Sequence, residues 1–263
     1  MRTALTIAGS DSGAGAGIQA DLKTFAAFGV YGTSAITAVT AQNTLGVAEV
    51  APLSADLVTS QIEAIAGDIE LHATKIGMLA TSAIVEAVAA AIEELDLPMV
   101  VLDPVLVSSN SEPLLDRNGT QTLVAELLPH SYVVTPNLPE AEALSGCRIQ
   151  SLDDRRRAAS RIHDMGASAV IITGGHAAGA EIVDLLYDGK TFTEFRTARV
   201  DGRRPHGTGC TFASAVAAGL ALGRSLDDSA GRAQAYVAGA IAHAVPVGRG
   251  ALVLDHFWQR GSR

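Results

Sequence analysis

The sequence predicts an α/β fold with a mostly parallel central sheet and helices on both faces. Short β-branched runs alternate with longer Ala-rich runs along the 263 residues, which is the pattern of successive β-α-β units. Aromatic residues make up only 4% of the chain, and abundant small side chains let helices pack close to a sheet. No linker, repeat or low-complexity tract is visible, so we predict a single domain over residues 1–263.

The predicted strands are short runs bounded by turn-forming residues. They are Ala4–Ala8, Thr33–Ala41, Thr74–Gly77, Pro98–Asp103, Tyr132–Thr135 and Ala169–Thr173. A continuous apolar run makes Pro98–Asp103 a buried strand. The dipeptide Asp188-Gly189 predicts a hairpin between Ile182–Tyr187 and Thr191–Arg196.

The predicted helices follow the strands and carry apolar residues at helical spacing. They are Ile18–Phe28, Ser54–Ile69, Ala83–Glu94, Asn118–Leu128, Ser151–Met165, Gly209–Leu222 and Ser225–Ala244. Ser54 is a candidate N-cap, and Ser151 with Asp154 resembles a capping box.

Composition excludes several classes of partner. The formal charge of -9 disfavours nucleic acid. Two cysteines make no disulfide framework, and no apolar stretch reaches the ~18 residues of a membrane span. The N-terminal apolar run ends at Gly9, too soon for a signal peptide. We therefore expect a cytoplasmic protein with neither nucleic-acid nor membrane partners.

Two glycine-rich segments invite nucleotide-binding interpretations that their spacing does not support. The loop Gly9–Gly17 lacks G-x-G-x-x-G spacing, and no acid occurs from Leu22 to Ala48, so a dinucleotide site is disfavoured against a flexible turn. The segment 174–179 lacks the lysine of a P-loop. A zinc site is also disfavoured, because the histidines form no H-E-x-x-H pattern.

The segment Pro205–Ala213 has the strongest chemical content. Gly207 and Gly209 bracket Thr208 at the start of a long helix, where free backbone N–H groups can hold an anion such as phosphate. Cys210 falls in the first turn, where a helix N-terminus lowers a thiol pKa and favours a proton-accepting thiolate. The alternative, a small packing residue, stays open.

Two other strand ends carry candidate residues. Asn137 and Glu140 stand three apart at a strand-to-helix boundary, where a carboxylate could hold magnesium through water. A helix-capping pair is the alternative. The run Val170–His176 is a strand that enters a glycine turn, which suits either a nucleotide or a tight connection.

Seven short segments together resemble the hydroxymethylpyrimidine and phosphomethylpyrimidine kinases of the ribokinase superfamily. They are Ala4-Leu-Thr-Ile-Ala-Gly-Ser-Asp11, Gly15-Ala-Gly-Ile-Gln-Ala-Asp-Leu-Lys-Thr24, Thr40-Ala-Gln-Asn-Thr44, Lys75-Ile-Gly-Met78, Leu102-Asp-Pro-Val105, Thr135-Pro-Asn-Leu-Pro-Glu140 and His206-Gly-Thr-Gly-Cys-Thr211. Each is weak alone, but their order and spacing are specific and span nearly the whole chain.

The resemblance implies a ribokinase-like three-layer α/β/α fold and an enzyme that uses ATP and Mg²⁺ to phosphorylate a small pyrimidine in thiamine biosynthesis. It implies a pyrimidine site lined by Gly9, Asp21, Gln42, Met78 and Val105. It places the amides of Gly207, Thr208 and Gly209 around the transferring phosphoryl group and Cys210 as the base. It assigns Asn137 and Glu140 to magnesium, and Thr173, Gly174 and Gly175 to the nucleotide.

The chain departs from the family pattern at three places. Thr173 replaces a common lysine, which puts one nucleotide contact in question. Pro205 replaces a common threonine and follows Arg203 and Arg204, which either approach phosphate or are solvated charges. The usual C-terminal Gly-Pro is replaced within Ala251–Leu254, to which we assign no function.

Three other functions are weighed against this one. A pyridoxal kinase of the same superfamily is the nearest, and Gln42 favours pyrimidine over it. A non-catalytic binding protein has no need of the Gly-Thr-Gly-Cys segment, and a nicotinamide oxidoreductase lacks its ribose-binding acid. We expect phosphorylation of both the pyrimidine alcohol and its monophosphate. The sequence does not determine the oligomeric state, and a homodimer is one candidate because relatives often dimerise.

Overall fold

The computed structural model describes residues 1–106, 114–116, 118–177, 179–200 and 205–260. Within these residues the strands are β1 (Thr3–Asp11), β2 (Tyr31–Asn43), β3 (Gly46–Pro52), β4 (Ala73–Ile76), β5 (Val100–Leu102), β6 (Val133–Val134), β7 (Val170–Ile172), β8 (Glu181–Tyr187) and β9 (Phe192–Ala198). They form one nine-stranded sheet in the order β3-β2-β1-β4-β5-β6-β7-β8-β9.

The described helices are α1 (Gly17–Ala27), α2 (Ala55–Ala66), α3 (Ser82–Glu94), α4 (Gly119–Thr122), α5 (Leu138–Ser145), α6 (Leu152–Asp164), α7 (Thr208–Ala221) and α8 (Leu226–Ala242). Helix α4 continues through a π turn, Leu123–Leu127, into a 3-10 turn, Leu128–His130. The Ser54 cap and the Ser151–Asp154 capping box are both present. None of the helices that the structure describes has the length and apolarity that a membrane crossing requires.

The sheet separates two apolar cores. Alternate strand residues such as Ala4, Ala73 and Val101 face α1, α7 and α8 on one side. Their neighbours Leu5 and Ile76, among others, face α2, α3, α5 and α6 on the other side. This two-residue alternation produces the predicted helix–sheet–helix layering.

The centre of the sheet is parallel and its edges are antiparallel, as predicted in outline. Strands β2, β1, β4, β5, β6 and β7 pair in parallel, whereas β3, β8 and β9 join in antiparallel fashion. The predicted hairpin is β8–β9. Strand β3 was not predicted, because its exposed residues show no clear apolar alternation.

The connections reverse direction around β1. Strand β2 pairs on one side of β1, and β4 pairs on the other. Such a switch opens a crevice at the carboxyl ends of the strands, where ligands bind in open α/β sheets. The segments after β1, β4 and β5 all meet there, so the crevice is the candidate site.

Candidate functional site

The glycine-rich loop after β1 is organised by a carboxylate of the chain itself. The buried Asp11 side chain accepts hydrogen bonds from the backbone N–H groups of Gly13 (2.8 Å), Gly15 (3.0 Å) and Ala16 (2.8 Å). These amides are therefore committed to an internal anion. The loop is neither the flexible turn nor the dinucleotide site that were weighed for it.

The start of α7 is the predicted anion site, and it has the backbone geometry that such a site requires. Gly207 caps the helix with φ of +84°, and a Cβ there would collide with the carbonyl oxygen of Gly15, so only glycine fits. No side chain caps this end in the described residues, and Gly209 is exposed. The first-turn N–H groups and the positive end of a 14-residue helix are thus available to a phosphoryl group.

Cys210 does not carry the low thiol pKa that its helix position predicted. Burial of the thiol raises its pKa to about 12, and the nearby carboxylates of Asp103 and Asp21 add to the effect. The Lys75 ammonium and a hydrogen bond from the Gly17 N–H oppose the rise without cancelling it. The thiolate-rich prediction is therefore wrong for the ligand-free protein, because loss of water outweighs the helix dipole.

A fully buried lysine lies under this site. Lys75 Nζ is 3.1 Å from Asp21 Oδ2 and 3.9 Å from Asp103 Oδ2. Burial alone would lower the Lys75 pKa, but Asp21, Cys210 and Asp103 outweigh it and raise the pKa above its usual value. Lys75 therefore stays charged inside the protein. A Cβ at Gly77 would lie 2.6 Å from its Nζ, so glycine makes room for the ammonium.

Asp21 is placed differently from the predicted contact with a pyrimidine. Its side chain has no exposed surface, and Oδ2 accepts hydrogen bonds from Thr6 Oγ1 (2.6 Å) and Lys75 Nζ (3.1 Å). Oδ1 accepts a hydrogen bond from Ser214 Oγ at 2.7 Å. Both oxygens are thus engaged within the protein, below the crevice.

Asp103 and Glu140 are two buried carboxyl groups in each other's field. Burial raises the pKa of Asp103 to about 6, although Lys75 opposes it, and Asp103 Oδ2 has no hydrogen-bond partner among the described residues. Burial, followed by the charge of Asp103, raises the pKa of Glu140 to about 8. Two such groups favour a shared proton or cation over two free charges.

Asn137 and Glu140 form a capping pair at the start of α5, which is one of the two roles predicted for them; the other is magnesium binding. Asn137 Oδ1 accepts from the Glu140 N–H (3.0 Å), and Glu140 Oε2 accepts from the Asn137 N–H (2.9 Å). This capping box begins α5, which has eight residues. It fixes the Glu140 side chain at the edge of the crevice.

Four predicted pyrimidine-site residues lie at the ends of neighbouring strands. A Cβ at Gly9 would press on the half-buried Met78, and Val105 is half-buried after β5. Gln42 Nε2 donates to His206 Nε2 at 2.8 Å. Burial lowers the His206 pKa, which favours the neutral ring, and the amide donor of Gln42 fits the tautomer in which Nε2 accepts.

The predicted nucleotide residues adjoin the start of α5. Thr173 donates its N–H to the Pro136 carbonyl at 2.9 Å and pairs with Asn137 in an isolated bridge. The Gly174 N–H donates to Asp184 Oδ1 at 2.7 Å, and a Cβ there would strike the Val183 backbone. A Cβ at Gly175 would meet open space. Gly174 is thus required by packing, whereas Gly175 leaves room for a ligand.

Lys75, Asp103 and His206 lie within the family motifs, but no role was predicted for them from the sequence. A lysine inside a short buried strand and an aspartate closing an apolar run were the available signals, since charges are rarely buried without a purpose. Arg203 and Arg204 lie outside the described residues.

Comparison with known proteins identifies the family to which these motifs belong. Residues 11–255 match the family model described as phosphomethylpyrimidine kinase. A hydroxymethylpyrimidine/phosphomethylpyrimidine kinase of Bacillus subtilis is 47% identical over 255 residues, covering 97% of this chain and 94% of the relative. The bifunctional thiamine biosynthesis protein ThiED of Geobacter sulfurreducens is 45% identical, and the chain spans only 51% of its length.

Solved structures agree in fold. A pyridoxal kinase of Bacillus subtilis in complex with ADP superposes with a TM-score of 0.91 at 39% identity and covers 99% of both chains. A phosphomethylpyrimidine kinase of Clostridium difficile has a TM-score of 0.81 at 39% identity, with 90% of this chain and 98% of that one covered. The ribokinase-like fold is confirmed, and the chain belongs to the phosphomethylpyrimidine kinase family of phosphotransferases.

Proposed function

We propose that this enzyme transfers the γ-phosphoryl group of ATP to 4-amino-5-hydroxymethyl-2-methylpyrimidine and then to its monophosphate, in thiamine biosynthesis. The observation that carries the proposal is the open N-terminus of α7, where Gly207, Thr208 and Gly209 adjoin Cys210 and a buried charge cluster at the switch crevice. Phosphoryl transfer depends mainly on positioning and on stabilising charge, and this arrangement offers both.

The pyrimidine is proposed to bind against Gly9, Met78 and Val105, with its polar edge toward Gln42. The Gln42 amide is held by His206 on its nitrogen and by Thr40 Oγ1, 3.2 Å from its oxygen. A fixed amide offers one donor and one acceptor, which matches an amino group beside a ring nitrogen. Asp21 supports this floor from below.

Cys210 is proposed to accept the substrate hydroxyl proton as the phosphoryl group transfers. The raised pKa means that the thiol is neutral before ligands bind. Asp103 is close enough to act on the thiol pKa, and we propose that its carboxylate takes the thiol proton so that Sγ can accept the proton of the substrate hydroxyl. Gly209 lies next to this pair, since a Cβ there would be 4.0 Å from Asp103 Oδ1.

The acidic residues fit a magnesium ion. Asp103 Oδ2, which has no hydrogen-bond partner among the described residues, and the buried Glu140 are hard oxygen donors of the kind that Mg²⁺ prefers. The described residues contain no cluster of three metal-ligating side chains, so water and phosphate oxygens would complete the shell, as Mg²⁺ prefers. Asn137 and Glu140 would hold the ion through water, and the bound ion would neutralise phosphate charge.

ATP is proposed to lie along Thr173, Gly174 and Gly175. Related structures contain ADP or AMP-PCP, including the Staphylococcus aureus pyridoxal kinase with AMP-PCP and pyridoxal, at a TM-score of 0.90 and 38% identity. Arg199 Nη1 donates to the Gly175 carbonyl at 3.0 Å and steadies this turn.

Pyridoxal phosphorylation is the second candidate, because pyridoxal kinases superpose on this chain with TM-scores up to 0.92. Curated relatives with higher identity carry the pyrimidine kinase name, which favours pyrimidine. Neither the non-catalytic nor the nicotinamide alternative is supported, because the family consists of named kinases.

The test is product detection by mass spectrometry with ATP and Mg²⁺, run in parallel on hydroxymethylpyrimidine, its monophosphate and pyridoxal. We expect pyrimidine mono- and diphosphate and little pyridoxal phosphate. Gln42→Ala should lose pyrimidine turnover more than any pyridoxal turnover. Pyridoxal phosphate as the main product would replace the proposed substrate, and no product from any of the three would refute the assignment.

A homodimer is proposed through the β3 edge, with a second copy as the partner. The edge strand leaves unpaired backbone groups, and Val50 in β3 and Leu45 just before it are 37% and 62% exposed. Light scattering should report a dimer that Val50→Lys weakens. A monomer at micromolar concentration would refute it. Cytoplasmic location and the lack of nucleic-acid and membrane partners stay predictions.

A further inference from the structure

Helix α7 is tied to the sheet by a small polar network inside an otherwise apolar layer. Asp21 on α1 receives hydrogen bonds from Thr6 on β1, Lys75 on β4 and Ser214 on α7. All four side chains have no exposed surface. One carboxylate thus joins four secondary-structure elements directly beneath the crevice.

A contribution to the free energy of unfolding does not by itself explain why this buried polar network is present. Burying an ion pair costs several kcal/mol of desolvation, and apolar side chains of similar volume often serve equally well or better. The surrounding residues of α7 from Phe212 to Ala221 are buried and mostly apolar, so an apolar solution was available. A network retained here points to a demand for fixed geometry.

The geometry that it fixes is the first turn of α7. Ser214 follows Cys210 by four residues and so stands on the same helix face, one turn further in. On the other side, Lys75 lies 3.9 Å from Asp103, and the charges of both residues act on Cys210 in the first turn of α7. The Ser214–Asp21 hydrogen bond therefore holds α7 to the sheet one turn beyond Cys210, and the helix start faces the same buried charges.

We propose that Lys75, Asp21 and Ser214 are positioning residues that hold the N-terminus of α7 over the substrate. This inference rests on the proposed function of that helix start in phosphoryl transfer. Misplacing a catalytic group by about 1 Å costs up to about a hundredfold in rate, so loss of one anchor should lower kcat.

The decisive comparison is Ser214→Ala against Thr6→Val. Both changes remove one hydroxyl donor from the same carboxylate, but only Ser214 belongs to α7. We expect Ser214→Ala to lower kcat about tenfold, with KM for the pyrimidine within about twofold, and Thr6→Val to lower kcat less than about threefold. Ser214→Cys, which keeps the size and a weak donor, should fall between wild type and Ser214→Ala.

Thermal unfolding of each variant accompanies the kinetics. Equal kcat losses in Ser214→Ala and Thr6→Val, or a loss that appears in KM alone, would overturn the positioning role. If Ser214→Ala does not fold, Ser214→Cys against Thr6→Val carries the same decision. An inactive wild type would refute the proposed function instead, so the two failures are distinguishable. Lys75→Met should lower kcat further than Ser214→Ala, because it releases both Asp21 and Asp103.

Discussion

Cys210 shows how strongly one environment can reverse a local rule. A helix N-terminus favours a thiolate, yet the loss of water around the half-buried Cys210 and its two neighbouring carboxylates raise the pKa of this thiol. The second cysteine, Cys147, is also half-buried, but it accepts a hydrogen bond from Arg161 Nη1 at 3.1 Å, which lowers its pKa. The cysteine in the site is thus the less reactive of the two.

Alkylation should therefore modify Cys147 before Cys210. With a pKa of about 12, Cys210 is about one part in ten thousand thiolate at pH 8. Its rate should rise about tenfold per pH unit from 7 to 9, whereas the Cys147 rate should level off earlier. Peptide mapping after iodoacetamide treatment measures both, and Cys147→Ser isolates the Cys210 rate. Faster labelling of Cys210 would show that its thiol is ionised.

Gly207 and Gly223 form a matched pair for a second prediction at this scale. Both have left-handed backbone, but a Cβ at Gly207 would meet the Gly15 carbonyl, whereas a Cβ at Gly223 meets nothing within 4 Å. Gly223→Ala should cost about 1–2 kcal/mol of unfolding free energy and leave kcat within about twofold. Gly207→Ala should also lower kcat by about a hundredfold, because the helix start must move. Steady-state kinetics measures kcat of both variants, and urea unfolding measures their stability. Equal kcat values in the two variants would contradict the predicted clash between a Cβ at residue 207 and the Gly15 carbonyl.

At the scale of elements, α5 combines a structural start with an unusual acid. The Glu140 side chain closes the capping box, and burial raises its pKa to about 8. The folded protein therefore holds a proton that the unfolded chain loses near the ordinary pKa of 4.5. The stability that this proton contributes is fully present below pH 4.5. It is lost as the pH rises from 4.5 to about 8.

Glu140→Gln should remove this dependence. Glutamine still suits the third position of a capping box, so α5 should form. In metal-free buffer the variant should be more stable than wild type at pH 8 and similar at pH 5, with a difference that grows by at most about 1.4 kcal/mol per pH unit. Urea unfolding at both pH values measures this, and a variant less stable than wild type at pH 8 would contradict the raised pKa. Mg²⁺-dependent turnover should fall in the same variant.

Elements with long apolar periods were predictable, and those shaped by exposure or tertiary contact were not. Helices α7 and α8 match their predicted spans within about two residues. Strand β3 was not predicted, because five of its seven residues are exposed at the sheet edge and show no apolar alternation. Helix α5 was foreseen only as a boundary, since eight residues carry too little periodicity.

At the scale of the whole molecule, the site depends on contacts between distant parts of the chain. Local motifs and the family resemblance predicted roles for the α7 start, Gln42 and the Asn137–Glu140 pair. It could not show that Lys75 meets Asp21 across 54 residues, or that Ser214 meets Asp21 across 193. The burial that raises the Cys210 pKa is likewise a property of the assembled layers.

The single sheet predicts a single unfolding event. Both cores pack on opposite faces of β1, β4, β5, β6 and β7, so neither can persist once these strands separate. Differential scanning calorimetry at a protein concentration low enough for the chain to be monomeric should give one transition. Its calorimetric and van't Hoff enthalpies should be equal. Two resolved transitions would instead divide residues 1–263 into separate domains.

The segment after α8 returns to the mouth of the crevice. Val253 bridges both His206 and Val245, the Leu252 carbonyl accepts the His206 N–H at 3.0 Å, and the Ala251 N–H donates to the Thr44 carbonyl at 2.8 Å. The loop that leads into Gly207 is thus braced by residues that leave the ribosome after every other part of the site. A nascent chain that ends before residue 251 lacks this brace, so the loop before Gly207 gains its support only after all nine strands have been synthesised.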